Sequence, residues 1–526
     1  MHGGPPSLAP SSTTGARNGF PDHVARRLSE APHRVAVVDG SRRVTRAQLV
    51  AEAQRLASGL LRLGVARNAS IAFQLPNWYE ACVVNLAAEL FGFRLVPLLP
   101  MYRVAELGLI LRECAVQAVF IPGQFRGVSY PDLYTGFRLP DALKHVFVVR
   151  AEDHRHASYE RLVNDAHDLL DDAPGAATDV KMVLYTSGST GKPKGVLHSH
   201  QTMEDLIHLA RDFWCLSDAD VALVPSPLGH IGGSMYAFDL PWIVGTTAVL
   251  MDVWNPDVAV AHIEREQVTF CAGATPFLEG LLKAAEVANT GLPSLRRFVC
   301  GGASVPPALI QRASRQFAAC TVSRAYGSTE VPLVGPGIRS RADAGFGATT
   351  DGERACEVLF LDDRGDPVAD GQTGEIVARA PHMFLGYLDA RDNEGAFTPD
   401  GYFRMGDIGR LVEGKFIEIT GRKKDLIIRM GENISPLEVE IVLAEHPAIK
   451  QVSIVGIPDA RTGEAALAFV VLHDGAAFSV PEMKDFLSKR GMARQKWPEH
   501  LRVVATLPTN SIGKVLKIEL RKLALR

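Results

Sequence analysis

Residues 185–195 read YTSGSTGKPKG, with three glycines, two serines, two threonines and two lysines in eleven positions. The stretch follows the apolar run Met182-Val183-Leu184 directly. Glycines let backbone N–H groups converge on an anion, and hydroxyls and lysines add donors and charge. A buried strand that runs into such a loop reads as a cradle for phosphate. The Walker A pattern G-x-x-x-x-G-K-[ST] is not met: Thr186 stands at its first glycine, and Pro193 follows Lys192 where a Mg²⁺-binding hydroxyl belongs. A flexible Gly/Ser linker is the plain alternative, but linkers seldom carry two lysines around a proline.

Outward from this loop the chain alternates short strands and amphipathic helices. Met182–Tyr185 is a strand, and Met203, Leu206, Ile207, Ala210, Phe213 and Trp214 recur at helical spacing. Strands are expected at 221–224, 246–251, 268–272, 297–300 and 321–325. Helices are expected after Thr275-Pro276, with Thr275 as cap, and from Pro306. This alternation predicts an α/β fold: a large N-terminal domain of mixed and parallel sheets flanked by helices. Near Gly421 the character changes, and a small, mobile α+β C-terminal domain is expected, with helices from Pro436 and Pro481 and strands at 452–455 and 465–472. The expected division is a disordered tail at 1–19, a large domain at 20–420, a hinge at 421–425 and a small domain at 426–526.

Bulk properties narrow the function classes. At 526 residues the chain exceeds what one core serves, 47% of its residues are hydrophobic, and its formal net charge is −3. No basic footprint for nucleic acid or an anionic membrane is present. Seven dispersed cysteines without a CxxC pair read as buried, reduced thiols, which points to the cytoplasm. The Gly/Pro/Ser/Thr-rich start lacks the apolar core of a secretory signal. The apolar stretch 83–102 is interrupted by Glu89, Arg94, Pro97 and Pro100, so no transmembrane segment is expected.

The loop resembles the phosphate-binding signature of the AMP-forming adenylating enzymes, which include acyl-CoA synthetases, peptide-synthetase adenylation domains and luciferases. Companion motifs follow in family order: CGGASVP (300–306), AYGSTE (325–330), GEIVARAPHMFLGY (374–387), GYFRMGD (401–407), GRKKDLIIRMGENI (421–434) and PTNSIGK (508–514). The resemblance implies a two-step reaction. A carboxylate attacks the α-phosphorus of ATP, giving acyl-AMP and pyrophosphate; a thiol, usually of coenzyme A, then displaces AMP.

By that resemblance Thr186, Ser187, Gly188, Ser189, Thr190, Gly191 and Lys192 would hold the outer phosphates, with Lys194 beside them. Thr329 would bond the α-phosphate, Gly327 would belong to the nucleotide site, and Glu330 would help hold Mg²⁺. Tyr326 would stack on adenine beside Gly301, Gly302 and Ala303. Asp407 and Arg422 would bind the ribose. Lys514 would bridge the attacking carboxylate and the phosphate. Lys424 would be the hinge about which the small domain swings, and Gly431 would line the pantetheine tunnel. His230, in PLGHIGG (227–233), would gate the acyl site, with Met235, Tyr236 and Phe277 as walls. Amino-acid-activating relatives place an aspartate next to the gate; Ile231 stands there, so an ammonium substrate would be uncompensated. The closest likeness is to short- and medium-chain fatty acyl-CoA synthetases and cyclohexanecarboxylate-CoA ligases. Departures are Met405, Ile512 and the pair Thr509-Asn510. The chain ends a dozen residues past Lys514 with no carrier segment, which favours coenzyme A as acceptor. An acyl-AMP ligase that loads a separate carrier protein and a nucleotide-binding regulator without turnover are the alternatives; a homodimer is an open possibility of assembly.

Overall fold

The computed structural model describes residues 19–166, 176, 179–187, 192–302, 305–429, 432–459, 461–509 and 514–525. The expected N-terminal tail therefore lies almost wholly outside the described residues.

Two large sheets form the frame. The eight-stranded sheet carries the loop hairpin, Val180–Ser187 and Pro193–Ser199, paired antiparallel in register Thr186 to Lys194. Beside it run the parallel strands Arg94–Pro97, Ser70–Phe73, Val116–Pro122 and His145–Val149. The seven-stranded sheet orders Thr321–Ala325, Arg297–Gly301, Phe270–Gly273, Val221–Val224, Thr247–Leu250 and Val35–Asp39 in parallel, then turns back through Arg42–Thr45. The buried strands are apolar on both faces, as parallel sheets covered by helices require.

Between the sheets lies helix Tyr79–Phe91, and every one of its residues is buried. Its sequence is apolar around the whole circumference, which suits a helix with no solvent face. Two of its buried side chains, Glu80 and Glu89, are charged and depend on partners. Glu80 accepts from Nε and Nη2 of Arg150, each at 2.7 Å. Glu89 meets Lys181 and, at 2.8 Å, His200. Lys181 also contacts Asp239, and the exposure of all three side chains is 3% or less. Burial opposes ionisation of Glu89, but Lys181 and His200 outweigh it and hold its carboxyl down at about 2; burial lifts Asp239 to about 6.

Helix His200–Trp214 starts where the hairpin ends. Ser199 Oγ accepts from the Thr202 N–H at 3.1 Å, and Thr202 Oγ1 accepts from the Ser199 N–H at 3.0 Å, a reciprocal cap that fixes the exit of the strand. A π-helical turn at Met235–Asp239 follows the short helix Ile231–Ser234 and delivers Asp239 to Lys181.

The third sheet was not foreseen as a unit. It is antiparallel, in the order Glu357–Leu361, Gly374–Arg379, Phe403–Val412, Phe416–Arg422. A single 3-10 turn, Lys423–Asp425, leads from it to the C-terminal sheet, so Gly421 and Arg422 still belong to the strand. The C-terminal domain packs helices Pro436–Leu443, Val480–Lys489 and Lys517–Ala524 with a five-stranded sheet. Its hairpin strands, Ile449–Asp459 and Gly463–Leu472, are longer than the sequence pattern predicts because Pro458 sits near a strand end, where a missing N–H is tolerated. No helix among the described residues is long and apolar enough to cross a membrane.

Two local expectations are corrected. Thr275 is the first helical residue of Thr275–Val287, not its cap; Ala274 holds that position without a side-chain acceptor. Cys215 is exposed rather than buried, because it closes helix His200–Trp214 in the left-handed region at φ 53°.

The Lys181 network yields a stability prediction. Lys181→Met leaves Asp239 buried without its cation and Glu89 with His200 alone, and costs about 3–5 kcal/mol. An unpaired buried carboxyl has its pKa raised above the unfolded value, so stability is lost as pH rises through the folded pKa. Denaturant titrations of both proteins check this: the deficit of the variant is larger above pH 6 than below it.

Candidate functional site

The hairpin ends meet one acidic side chain from a neighbouring helix. Glu113, the last residue of helix Val104–Glu113, accepts from the Tyr185 hydroxyl at 2.9 Å and pairs with Lys192 Nζ at 3.2 Å. Lys192 is half exposed, and an ion pair of that kind contributes about 0–1 kcal/mol, so it releases readily to a stronger anion. Lys194 pairs with Asp392 at 3.1 Å and lies 4.8 Å from the centre of the Tyr387 ring. Thr186 is partly buried at the end of its strand. Gly188, Ser189, Thr190 and Gly191 lie outside the described residues, as do Ala303 and Gly431; for Ser187 the backbone pairing with Pro193 is described.

A second group assembles where the seven-stranded sheet meets the antiparallel one. Tyr326 follows strand Thr321–Ala325, and its hydroxyl donates to Asp407 Oδ2 at 2.8 Å. Asp407 and Arg422 are cross-strand partners, and Arg422 Nε donates to Asp407 Oδ1 at 2.7 Å. The Asp407 carboxylate is thus buried yet charge-compensated, with lone pairs left for further donors. Gly301 ends the adjacent strand; a Cβ there would stand 2.7 Å from the Ala325 carbonyl oxygen, so the two strand ends approach only as glycine allows. Gly302 follows at φ +84°. Gly327 is exposed, but its Cβ would stand 2.6 Å from the Leu333 nitrogen.

Three positioning groups escaped the sequence reading. Arg324 places Nε 3.0 Å from Asp351 Oδ1, and Asp351 Oδ2 accepts from the Ile419 N–H at 2.9 Å. This buried pair locks the strand before Tyr326 to the strand that ends in Arg422. His198, fully buried in the hairpin, donates Nε2–H to the Thr329 carbonyl at 2.7 Å. Burial pulls its pKa down to about 4, so it is neutral near pH 7. Glu113 is the third. The one signal available for His198 was a polar residue inside an apolar strand; Arg324–Asp351 and Glu113 depend on partners far away in sequence and left none.

Thr329 is buried and Glu330 partly so. Among the described residues the Glu330 carboxylate has one hydrogen-bond partner, the Tyr387 hydroxyl at 2.8 Å on Oε1. That leaves Oε2 as a hard oxygen donor, which fits Mg²⁺.

His230 caps helix Ile231–Ser234, and its Nδ1 accepts from the Gly232 N–H at 3.1 Å. With Nδ1 so used, the neutral ring carries its proton on Nε2. Burial, then the charge of Lys514, pull its pKa down to about 4. Lys514 comes from the opposite end of the chain. A backbone bridge between Thr509 and Val515 and the bond from the Leu516 N–H to the Pro508 carbonyl, 2.8 Å, close the loop that carries it. Burial, with Arg422 and Lys424 nearby, lowers the Lys514 ammonium to about 8, against the attraction of Asp407 and Asp425. Lys514 therefore shares one electrostatic neighbourhood with His230 and with the Asp407–Arg422 pair.

Lys424 sits in the 3-10 turn, and burial and Arg422 lower its pKa. The three expected acyl walls are not gathered in one cluster. Met235 and Tyr236 are buried in the core between the sheets, Tyr236 against Phe270 at 5.2 Å, whereas Phe277 stacks on Trp254 at 4.7 Å beside the second core.

The arrangement brings a compensated carboxylate beside an aromatic ring and a buried ammonium into one electrostatic neighbourhood, which suits a nucleotide and an acid. Comparison with known proteins agrees. The sequence pattern of the "AMP-binding enzyme" family matches residues 24–388, and that of the "AMP-binding enzyme C-terminal domain" matches 438–514. The chain is 34% identical to the medium-chain fatty-acid–CoA ligase of Escherichia coli K12, over 93% of this chain and 88% of that one. It is 31% identical to the indoleacetate–CoA ligase of Aromatoleum aromaticum, over 96% and 98%. The crystal structure of ATP-bound MatB from Rhodopseudomonas palustris superposes with a TM-score of 0.85 at 25% identity, covering 95% and 98%. The chain belongs to the AMP-binding enzyme family.

Proposed function

We propose that the protein is an AMP-forming carboxylate–CoA ligase that activates a hydrophobic acid with ATP and passes the acyl group to coenzyme A. The observation that carries this reading is that Lys514 shares one electrostatic neighbourhood with His230, Asp407 and Arg422. An ammonium there offsets the repulsion between an incoming carboxylate and the α-phosphate, the main barrier to adenylation. Relatives named as ligases of fatty and arylacetic acids support the thiol acceptor.

In this reading Thr186, Ser187, Lys192 and Lys194 hold the outer phosphates, and Lys192 exchanges Glu113 for them. Tyr326 flanks adenine, Asp407 accepts from the ribose hydroxyls, and Thr329, held by His198, bonds the α-phosphate. Glu330 holds Mg²⁺, which would neutralise phosphate charge. The acid lies beside His230, its apolar body toward Met235 and Tyr236. Ile231 next to the gate is buried and apolar, so an amino-acid ammonium has no counter-charge there. After adenylation the small domain turns about Lys424, withdrawing Lys514 and admitting the thiol.

The test of the reaction is pyrophosphate release across a panel of fatty, alicyclic and arylacetic acids, each with and without coenzyme A. Acid-dependent release with CoA thioester formed is expected; no release with any acid would sink the proposal. Lys514→Ala should slow acid-dependent pyrophosphate release by about 10²–10³-fold, the scale of losing one transition-state charge contact. Thioester formation from supplied acyl-AMP should change little, and equal loss in both halves refutes the role. Because the Lys514 ammonium is lost as pH rises through about 8, kcat/KM for adenylation falls on that alkaline limb, and Lys514→Arg moves the limb upward.

A further inference from the structure

Helix Phe20–Glu30 meets helix His200–Trp214 through three side chains with metal-ligating atoms. Glu204 and His208 are one turn apart on the second helix and share its face. His23 arrives from the first helix. Glu204 Oε1 lies 3.1 Å from His23 Nε2 and 3.3 Å from His208 Nε2, and the ligand atoms of all three lie within 4.8 Å of one another. A tetrahedral Zn²⁺ with bonds of about 2.0–2.1 Å separates its ligands by roughly 3.3–3.4 Å. The two distances to Glu204 are already close to edges of that tetrahedron.

From this convergence we propose that His23, Glu204 and His208 form a binding site for a borderline divalent transition-metal ion, zinc foremost, that fastens the N-terminal helix to the helix following the phosphate hairpin. The donor set is two imidazoles and one carboxylate, which suits zinc over Mg²⁺ or Ca²⁺. His23 and Glu204 are buried, at 7% and 10% side-chain exposure, while His208 is 30% exposed and provides the entry path and room for a water as fourth ligand. His208 Nδ1 is buried without a hydrogen-bond partner, so the trio is not a fully satisfied polar network.

The metal-free state has a stated competitor. Arg26 Nη2 lies 3.1 Å from His23 Nδ1, which keeps that proton on Nε2, facing Glu204. Metal binding moves the proton to Nδ1 and turns Arg26 away, toward the Ile243 carbonyl it also reaches at 3.4 Å.

Zinc and cobalt titrations of the untagged, metal-stripped full chain test the site. One equivalent of Zn²⁺ should bind and raise the melting temperature, and Co²⁺ should give the visible absorption of tetrahedral coordination. His208→Gln, at a partly exposed position outside the nucleotide site, should weaken zinc about 100-fold or more, since losing a ligand exceeds the ~10–100-fold effect of losing an outer-shell partner. Arg26→Gln should bind zinc several-fold more tightly. Absence of stoichiometric binding by the parent chain, or unchanged zinc affinity in His208→Gln, overturns the proposal.

Discussion

One buried ammonium holds the geometry together. Lys181 lies at the start of strand Val180–Ser187, and it joins Glu89 on the central helix to Asp239 at the end of the turn behind His230. Loop, gate and central helix therefore share a single charge centre in a place where water cannot screen it. Removing that centre would leave like charges facing each other, which is why the three elements keep a common register. The site tolerates a soft glycine-rich loop because the strands on either side are fixed by this contact and by the Ser199 cap.

The motifs of the candidate site stand out in the sequence because their signals are local. The glycine-rich loop, the Tyr326 turn, the Asp407 strand and the Lys514 segment are each written within a dozen residues. What stayed hidden depends on contacts across long separations. Arg324 and Asp351 look like ordinary charges until the sheet places them together, and Glu113 reads as a helix-terminal carboxylate until the hairpin folds over it. The antiparallel third sheet was missed as a unit because its strands were read one motif at a time. Thr275 followed the local rule for a cap, yet the helix starts one residue earlier because Pro276 is equally at home at the second position. Phe277 packs with Trp254 beside the second core, apart from Met235 and Tyr236, a separation that a sequence pattern does not carry.

The charge state of the site follows from burial. His198 and His230 are both driven to about 4, so neither carries charge at neutral pH. Positive charge around the site comes from Lys192, Lys194, Arg422, Lys424 and Lys514, and Lys192, Lys194 and Arg422 pair with Glu113, Asp392 and Asp407. At the loop, Glu113 and Asp392 hold Lys192 and Lys194 at 3.2 and 3.1 Å.

The left-handed end of helix His200–Trp214 has a practical corollary. Burial raises the thiols of Cys114, Cys300, Cys320 and Cys356 to between about 11 and 12 and drives Cys82 and Cys271 higher still. Cys215 alone is exposed to an electrophile. The chain thus comes with a unique chemical handle at the end of helix His200–Trp214, where a single fluorophore can be attached without mutagenesis.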